Sequence, residues 1–485
     1  MLCVTGNEKT LPALVERIER WPEVELHEVR LDLLDGLPSG VCERLPAREK
    51  LIVTLRPRRE GGGWDGPEEK RVKRLREALA AGVGWIDVEG STPAPLLDEL
   101  LAAPGPTRRI VSAHLPEGDP ETPLAALARL GAHRAHVLKL ALPIGDASDL
   151  VALREAAAAT RRKVVAIGSG PAGTLSRVAY RAFGSEWTYV AADERSRTAP
   201  GQWTLAEARR VGLERQLPLV YGLLGGPGVL RSPGPRVYNA LLPRSGQPLA
   251  YVALPTARPG PVLQLLRAEV LAGLSVTMPH KETVRDLLDD ELPSARRAGS
   301  VNTIVLAAGR LLGHSTDGEG VLGALGGARA VSGRRALVLG AGGAARAVAR
   351  ALVDAGATVT LAARRSGRAA AVADAVGASW VEWSEAAGLP FDVLVNATPL
   401  GADGVSSPIA DPATLAGRIV LDLVLDPPRT PLLAAAERAD GTPIPGLVHW
   451  AHQGAAQMRL LTGLTLEPAE LLRAAETTAD APGGR

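Results

Sequence analysis

The run AHVLKLAL, residues 135–142, has the length of a β-strand, and after His136 it is apolar except for Lys139 near its centre. Burial of an unpaired ammonium group is costly, and a buried lysine tends to lose its proton instead. Lys139 therefore reaches solvent or a partner, or it serves as an amine in a reaction. The sequence on either side of this run helps to decide between a paired or solvent-exposed lysine and a reactive amine.

Seven similar runs lie within the first 215 or so residues, and helix-like segments rich in Ala, Leu, Arg and Glu separate them. The eight runs are LCVTG (2–6), VELHEVRLD (24–32), KLIVTLRP (50–57), WIDVE (85–89), RRIVSAHL (108–115), AHVLKLAL (135–142), KVVAIGSG (163–170) and WTYVAA (187–192). Such alternation indicates parallel strands joined by helices. Eight units of this size predict an α/β protein that begins with a compact (β/α)8 TIM barrel, whose working residues lie at the carboxyl ends of the strands.

Length, composition and charge narrow the class of protein. The 485 residues predict two or three domains, and 46% hydrophobic with 22% charged residues is typical of globular proteins. A net charge of +2 gives no reason to expect a nucleic-acid partner, and the two cysteines exclude a disulfide framework. No segment resembles a membrane span or a signal peptide. We therefore expect a cytoplasmic protein without nucleic-acid or membrane partners, whose oligomeric state is left open.

Charged and polar residues gather where these runs end. They are Glu28 and Arg30 in HEVRLD, Arg56 after KLIVTL, Glu60 in REGGG, His114 in RRIVSAH, Lys139, Arg177 after IGSGPAGTLS, and TAPGQ (198–202). A barrel brings them to one mouth. Taken singly, each is more often structural, as a snorkelling lysine, a satisfied histidine or a surface turn. Together, an amine, an imidazole near a carboxylate and several arginines favour Schiff-base chemistry on an anionic carbonyl substrate.

These residues resemble the type I 3-dehydroquinate dehydratases over essentially all of residues 1–215. The matching pieces are E-x-R (Glu28, Arg30), R-x-x-x-E-G-G (Arg56, Glu60), the S-x-H strand end (His114), the K-x-A strand end (Lys139), Ser-Arg after the seventh strand (Arg177) and A-P-G-Q (Gln202). The resemblance implies that Lys139 forms an imine with the substrate ketone. It implies that His114 moves the protons, that Glu60 orients His114, and that Arg177 clamps the substrate carboxylate. The remaining substrate-binding residues that it implies are Glu28, Arg30, Arg56, Thr198 and Gln202.

A new pattern begins near residue 215. QLPLVYGLLGGPG (216–228) starts another strand and turn, and residues 334–365 read as strand, glycine turn, helix and strand. Within them, GAGGAA (340–345) follows the strand and opens the helix, which favours a dinucleotide site with pyrophosphate at the helix N-terminus. The second strand ends in Arg364 and Arg365 rather than an acidic residue. This favours NADP over NAD, although a solvated basic turn is the alternative.

Three stretches precede the glycine turn: SVTMPHK (275–281), AGSVNT (298–303) and GHSTDGEG (313–320). Each alone could be an ordinary loop, but their order and spacing resemble shikimate dehydrogenase over residues 218–485. The resemblance implies that Lys281 and Asp317 form the catalytic pair, and that Ser232, Thr277, Asn302 and Gln453 bind substrate. It implies a metal-free site for NADP(H) formed by Gly340, Gly342, Gly343, Ala344, Arg364, Arg365, Asn396 and Thr398, the last two in the NATPLG loop (396–401).

Two positions depart from the shikimate dehydrogenase pattern. The family's substrate-carboxylate loop reads S-x-S-P, whereas RSPGP (231–235) keeps Ser232 and has Gly234 in place of the second serine. Leu425 stands where the family usually has tyrosine. Loss of one hydroxyl contact costs about 1 kcal/mol. Quinate carries a hydroxyl near this position that shikimate lacks, so the second half is predicted to tolerate quinate or to bind shikimate less tightly.

The sequence therefore predicts three domains and two activities. The domains are a dehydratase barrel over 1–215, a substrate-binding domain over 218–316 completed by 440–485, and a Rossmann NADP-binding domain over 317–439. The resemblances imply Schiff-base dehydration of 3-dehydroquinate followed by NADPH-dependent reduction of 3-dehydroshikimate to shikimate, two consecutive steps of the shikimate pathway. One alternative is an active dehydratase with a weak or quinate-preferring second half. The other is a non-catalytic metabolite sensor, which would not need Lys139, His114, Lys281 or Asp317, although all four are present.

Overall fold

The computed structural model of the chain describes residues 1–479. All eight predicted runs form strands, which are β1 (Leu2–Thr5), β2 (Leu26–Arg30), β3 (Leu51–Thr54), β4 (Trp85–Glu89), β5 (Arg108–His114), β6 (Val137–Pro143), β7 (Val164–Ser169) and β8 (Thr188–Ala191). Neighbouring strands are parallel and follow the order of the sequence, and β1 also pairs with β8. The sheet is thus a nearly closed barrel, which confirms the predicted (β/α)8 fold.

Helices connect these strands: α1 (Leu11–Arg20), α2 (Glu68–Ala80), α3 (Ala94–Ala102), α4 (Pro123–Gly131), α5 (Leu150–Ala159), α6 (Thr174–Val178) and α7 (Leu205–Arg210). Several begin at a threonine whose hydroxyl accepts a backbone N–H of the first turn. Thr10 accepts from Ala13, and Thr204 forms a reciprocal capping box with Glu207. Such caps satisfy donors that the helix itself leaves unpaired.

Aromatic packing fills the amino end of the barrel. Trp85 begins β4, and its ring centroid lies 5.3 Å from that of Trp187, which immediately precedes β8. Trp187 in turn packs edge-on against Tyr189. Because this end is closed by apolar side chains, the polar residues of the barrel are concentrated toward the carboxyl ends of the strands.

A second, mixed sheet contains β9 (Leu219–Gly225), β10 (Leu249–Pro255), β11 (Gly273–Val276), β12 (Asp290–Glu291), β13 (Thr303–Ala307) and β14 (Arg310–His314), in the order β10-β9-β11-β13-β14-β12. Its helices are α8 (Gly234–Leu241), α9 (Pro259–Arg267) and α10 (Pro293–Ala298). Strand β11 is parallel to β9 and antiparallel to β13. SVTMPHK and AGSVNT, which follow β11 and precede β13, therefore lie at neighbouring strand ends.

A third sheet is wholly parallel and contains β15 (Arg335–Leu339), β16 (Thr358–Ala363), β17 (Ser379–Glu382), β18 (Val393–Asn396), β19 (Ile419–Asp422) and β20 (Thr442–Ile444). Its order is β17-β16-β15-β18-β19-β20, which is the Rossmann order and confirms that prediction. The remaining helices are α11 (Asp317–Ala324), α12 (Ala328–Val331), α13 (Gly343–Asp354), α14 (Ser366–Val376), α15 (Pro431–Arg438), α16 (Gly446–Thr462) and α17 (Pro468–Ala479).

The chain divides into two compact units. The first comprises Met1–Val220 and Leu242–Val270, and the second comprises Tyr221–Leu241 and the described residues from Leu271 onward. Within the first unit, Asp146 accepts hydrogen bonds from the Thr256 hydroxyl and from the backbone N of Ala257. The three domain boundaries given above stay a prediction. None of the described helices is long and apolar enough to cross a membrane.

Two candidate active sites

Lys139 is buried in β6, with 3% of its surface exposed. Its Nζ donates to Asp87 Oδ2 at 2.8 Å and lies 3.5 Å from Glu28 Oε1. The ammonium group also lies 4.4 Å from the centre of the Tyr189 ring, a favourable cation–π arrangement. Lys139 therefore reaches charged partners inside the barrel rather than solvent.

Three buried carboxylates lie on the strands near Lys139: Glu28 on β2, and Asp87 and Glu89 on β4. Arg56 Nη2 lies 3.6 Å from Glu28 and 4.0 Å from Asp87, and its Nε lies 3.7 Å from Glu89. Burial opposes the charge of Glu28, but Lys139 and Arg56 outweigh it and lower the pKa of Glu28 to about 2. Burial and the charge of Asp87 raise the pKa of Glu89. The cluster thus balances two cations against several acids.

His114 ends β5, the strand next to Lys139. Because Lys139 lies opposite Ser112 in the β5–β6 pairing, His114, two residues further along, points to the same face. Glu60 Oε2 lies 3.3 Å from His114 Nδ1 and accepts the backbone N–H of His114 at 3.0 Å. Burial and the charges of Arg56 and Lys139 hold the pKa of His114 well below its usual value. With Nδ1–H directed to Glu60, Nε2 of the neutral ring is the proton acceptor.

Arg177 is a buried cation that lacks an acidic partner among residues 1–479. Its Nε donates to the Gly168 carbonyl at 3.0 Å, and burial lowers the pKa of its guanidinium to about 10. A buried charge without a counter-ion is costly. Arg177 is therefore suited to an anionic ligand.

The other predicted barrel residues have partners within the chain. Arg30 donates two hydrogen bonds to the Asp32 carboxylate, at 3.0 and 2.6 Å. Thr198 donates to Gln202 Oε1 from its backbone N at 2.9 Å and from its hydroxyl at 3.2 Å. Their loop lies against the one that leads to Arg177, since Pro200 accepts a hydrogen bond from the backbone N of Gly170. Strand ends thus bring the predicted residues to one mouth.

Asp87, Glu89 and Tyr189 were not predicted from the sequence. Asp87 is the acid nearest to Lys139, and Glu89 forms a salt bridge with the fully buried Arg71 at 2.6 Å. The available signal was WIDVE, a strand-like run with two carboxylates at alternate positions, which raises the same question as the lysine in AHVLKLAL. Which side chains meet inside the barrel depends on the register of its strands, and that register cannot be read from the sequence.

Lys281 and Asp317 form an ion pair in the second unit, with 2.6 Å between Nζ and Oδ2. Asp317 is buried at the first position of α11. Burial opposes its charge, but Lys281 outweighs this and keeps the pKa of Asp317 below its usual value. The predicted pair is therefore assembled as an ammonium and a carboxylate.

Asn302 links this pair to α16. Its Nδ2 lies 2.9 Å from Asp317 Oδ1 and from Thr316 Oγ1, and 3.1 Å from Gln453 Oε1. Its Oδ1 accepts the backbone N of Thr316 at 3.0 Å. The loop before β13, the start of α11 and helix α16 are thereby held together around Asp317.

Two of the predicted substrate-binding residues, Thr277 and Ser232, form few hydrogen bonds within the protein. Thr277 is partly exposed, and within residues 1–479 its hydroxyl has no hydrogen-bond partner. Its methyl group packs on Gly225, where an added Cβ would lie 2.5 Å from Thr277 Cγ2. Ser232 Oγ accepts the backbone N of Gly234 at 3.3 Å. The hydroxyls of Thr277 and Ser232 remain available to donate to a ligand.

The glycine turn fits a bound dinucleotide. Gly340 has φ +113°, and a Cβ at this position would lie 3.1 Å from the Ala397 carbonyl oxygen, so only glycine is accommodated. A Cβ at Gly342 would meet nothing within 4 Å, which leaves open space at the start of α13, where backbone N–H groups are unpaired. Arg364 and Arg365 are exposed directly after β16, where they could contact a 2′-phosphate.

Asn396 and Thr398 shape the loop beside this turn. Asn396 Nδ2 donates to Asp422 Oδ1 at 2.9 Å and to the Leu400 carbonyl at 3.0 Å, while Asn396 Oδ1 accepts from the Thr398 hydroxyl at 2.7 Å. The polar atoms of Asn396 are thus already used within the protein. Asn396 therefore supports the loop, and contact of Asn396 and Thr398 with the cofactor stays a prediction.

Three further residues near this site were missed. His449 Nε2 lies 3.4 Å from the Asp317 carbonyl oxygen, and Gln457 Nε2 donates to the Asn302 carbonyl at 2.7 Å. Arg368 donates to the Ala341 carbonyl at 2.7 Å and to Glu282 at 2.6 Å, next to the glycine turn. The spacing of four in HWAHQGAAQ signalled one polar helix face, but not what the face would contact. Within the described residues, no cluster of His, Cys, Asp and Glu could hold a metal ion.

Comparison with known proteins finds a similarity for each half of the chain. Residues 2–214 match the model of the family described as type I 3-dehydroquinase, and residues 224–304 match the shikimate dehydrogenase substrate binding domain. A chloroplastic bifunctional 3-dehydroquinate dehydratase/shikimate dehydrogenase from Arabidopsis thaliana is 30% identical over 473 residues, which cover 91% of this chain and 78% of that protein.

Two relatives match the second half alone. A shikimate dehydrogenase (NADP(+)) from Gluconobacter oxydans is 40% identical over 252 residues, or 50% of this chain and 90% of the relative. A crystal structure of a shikimate dehydrogenase in complex with NADP+ matches with a TM-score of 0.51 at 29% identity, over 54% of this chain and 96% of that one. The chain is therefore a lyase and an NADP-dependent oxidoreductase that acts on small molecules, and it belongs to the family of bifunctional 3-dehydroquinate dehydratase/shikimate dehydrogenases of the shikimate pathway.

Proposed function

We propose that Lys139 is the amine that forms the imine with 3-dehydroquinate. The observation that carries this proposal is a buried lysine within hydrogen-bond distance of Asp87, on the same barrel face as the His114–Glu60 pair. Attack of the unprotonated amine on the ketone forms a C–N bond, and loss of water then gives the protonated imine. Asp87, 2.8 Å away, is positioned to accept the proton that Lys139 loses before attack, and it balances the charge of the imine afterwards.

His114 is proposed to carry the protons of the elimination. The neutral ring takes a proton from the carbon next to the imine, and the electron pair moves into the C–N system as an enamine. The resulting imidazolium then protonates the departing hydroxyl, which leaves as water. Glu60 holds the ring orientation, and hydrolysis of the product imine returns the free Lys139 amine. The unpaired Arg177 binds the substrate carboxylate through two parallel hydrogen bonds.

In the second unit, we propose that Lys281 protonates the oxygen of the 3-dehydroshikimate ketone during reduction. NADPH supplies the hydride when it is bound. Asp317 keeps the Lys281 ammonium in place, and Asn302, Gln453, Thr277 and Ser232 provide the polar groups that bind and orient the substrate. Product departure leaves Lys281 to regain a proton from solvent.

A single assay tests both halves. Purified protein is mixed with 3-dehydroquinate and NADPH, and the absorbance of the enone product is followed together with the loss of NADPH. Consumption of NADPH equal to the substrate supplied supports both activities. Enone that accumulates while NADPH persists leaves only the dehydratase, and the absence of both signals favours a metabolite sensor.

Replacement of both Arg364 and Arg365 by alanine is expected to remove the preference for NADP. Each charged hydrogen bond to a 2′-phosphate contributes about 1.5–3 kcal/mol, so KM for NADPH should rise at least about 10-fold while KM for NADH stays unchanged. The measurement is reductase kinetics with both cofactors. Arg334→Ala, at the exposed position before β15 at the opposite strand end, is the control. Equal effects on the two cofactors would show that neither arginine recognises the phosphate.

A quinate-preferring or weakened second half is the alternative that Gly234 and Leu425 favour. Gly234→Ser should restore a hydroxyl near the substrate carboxylate and shift the kcat/KM ratio of shikimate to quinate about 5- to 10-fold toward shikimate. Oxidation of both compounds with NADP+ measures that ratio. Gly228→Ser is the matched control, since a Cβ there meets nothing within 4 Å. An unchanged ratio in Gly234→Ser contradicts the idea.

The boundaries 1–215, 218–316 with 440–485, and 317–439 remain our proposal for the three domains. A location in the cytoplasm and the lack of nucleic-acid and membrane partners also stay predictions, and the Arabidopsis relative is chloroplastic.

A further inference from the structure

One face of helix α16 carries three polar residues spaced four apart: His449, Gln453 and Gln457. Such residues lie above one another on a helix. Each of the three contacts Asp317 or Asn302 in the reductase site. His449 Nε2 lies 3.4 Å from the Asp317 carbonyl oxygen, Gln453 Oε1 accepts from Asn302 Nδ2, and Gln457 Nε2 donates to the Asn302 carbonyl.

Glycine in α11 allows this face to approach closely. A Cβ at Gly320 would lie 2.6 Å from Gln453 Cβ and 3.1 Å from His449 Nε2. A side chain at position 320 would therefore clash with α16. The absence of a side chain brings His449 within reach of the Asp317 backbone, one turn earlier in α11.

The chemistry of His449 suits a neutral donor. A carbonyl oxygen only accepts hydrogen bonds, so Nε2 must carry the proton in this contact. Burial lowers the pKa of His449 to about 4, which keeps the ring uncharged at neutral pH. The charged and titratable groups that face it are Asp317 and Lys281, together with His452 on the same helix. A neutral ring supports Asp317 without adding a second cation that would compete with Lys281.

We propose that His449 is a positioning residue of the reductase, which fixes the backbone of Asp317 so that its carboxylate stays against Lys281. The inference rests on the proposed roles of Lys281 and Asp317. The Asp317 residue is then held at three points: Lys281 and Asn302 hold its two carboxylate oxygens, and His449 holds its carbonyl. Small displacements of a catalytic group lower the reaction rate strongly, because the reacting atoms must be held in a narrow range of geometries.

The test compares His449→Leu with His449→Gln in the full-length chain. Leucine removes the donor, whereas the glutamine amide presents a neutral N–H at about the distance of Nε2. His449→Leu should lower kcat for 3-dehydroshikimate about 10-fold, with KM changed less than about 2-fold. Because Lys281 then lowers the pKa of Asp317 less, the acid limb of the pH–kcat profile should move to higher pH. His449→Gln should restore both kcat and the position of that limb of the pH profile.

Dehydratase activity of the same chain serves as an internal control for folding. His452→Leu is the matched histidine variant, because His452 lies on α16 beside Gly323 and does not contact Asp317 or Asn302. It should leave kcat unchanged. An unchanged kcat and pH profile in His449→Leu overturns the inference, as does an equal loss in His449→Leu and His449→Gln with the limb unmoved. Failure of the unaltered chain to reduce 3-dehydroshikimate would instead refute the proposed function.

Discussion

Replacement of Lys139 by methionine is expected to abolish the dehydration of 3-dehydroquinate and to leave the reduction of 3-dehydroshikimate intact. Methionine fills a similar volume but has no amine, so the imine that makes the adjacent C–H acidic cannot form. Loss of a covalent nucleophile lowers kcat by at least about 10⁴-fold. Arg56 remains within 4.0 Å of Glu28 and Asp87, so the buried carboxylates keep a cation after the replacement. Enone absorbance measures the loss.

Borohydride trapping tests the same lysine directly. Treatment of the unaltered protein with substrate and borohydride should add one reduced substrate to the peptide that contains Lys139, as read by mass spectrometry. Lys139→Met should show no adduct. Lys163→Met is the control, since Lys163 lies just before β7 with 68% of its side chain exposed and should lose neither activity. An adduct on another lysine, or dehydration that persists in Lys139→Met, would reject the imine assignment.

The barrel could be predicted from the sequence because both faces of its strands are buried. Parallel strands covered on both faces read as continuous apolar runs, and a charged residue within such a run is conspicuous. This reasoning found Lys139 in AHVLKLAL, and the register of β5 and β6 in the structure then shows that His114 lies on the same face. Asp87 and Glu89 carry the same signal in WIDVE, yet their significance depends on Lys139 lying two strands away across the barrel. The sequence does not show that side chains of β4 and β6 meet inside the barrel.

Helix α16 was harder to interpret than the barrel strands. Gln453 was identified by resemblance, whereas His449 and Gln457, one turn before and one turn after it, were not. A polar stripe on a helix usually faces solvent, whereas this one is at least half-buried because Gly320 permits the close approach of α11. Contacts of this kind are set by tertiary packing, so the spacing alone predicts a face but not its partner.

Lysine is rare in the second half of the chain, and its single occurrence is informative. Between residues 216 and 485, Lys281 is the only lysine, although arginines are numerous. Arginine serves equally well for surface charge, but its guanidinium does not give up a proton in proteins, whereas an ammonium group does. The presence of lysine at position 281 therefore supports the proposal that this cation also donates a proton. A salt-bridge role alone would not require lysine at position 281.

Lys281→Arg is expected to abolish reduction nearly as completely as Lys281→Met. Arginine keeps the positive charge beside Asp317, where Lys281 Nζ now lies 2.6 Å from Oδ2. It cannot protonate the ketone oxygen when the hydride adds to the ketone carbon. Loss of a general acid lowers kcat about 10²- to 10⁴-fold. With 3-dehydroquinate and NADPH supplied, both variants should accumulate enone at the normal rate while NADPH persists, because the dehydratase is unaffected.

The comparison between the two variants separates proton donation from charge. If Lys281 only holds Asp317 or binds substrate through its charge, Lys281→Arg should retain most of the reductase rate and only Lys281→Met should fail. Arg310→Met provides the control, because Arg310 begins β14 with 58% of its side chain exposed. Its contacts are long: a salt bridge of 3.6 Å with Asp290 and a hydrogen bond of 3.4 Å to the Asp289 carbonyl. Its reductase rate should match the unaltered chain. A Lys281→Arg variant that reduces 3-dehydroshikimate normally would contradict the assignment of Lys281 as the proton donor.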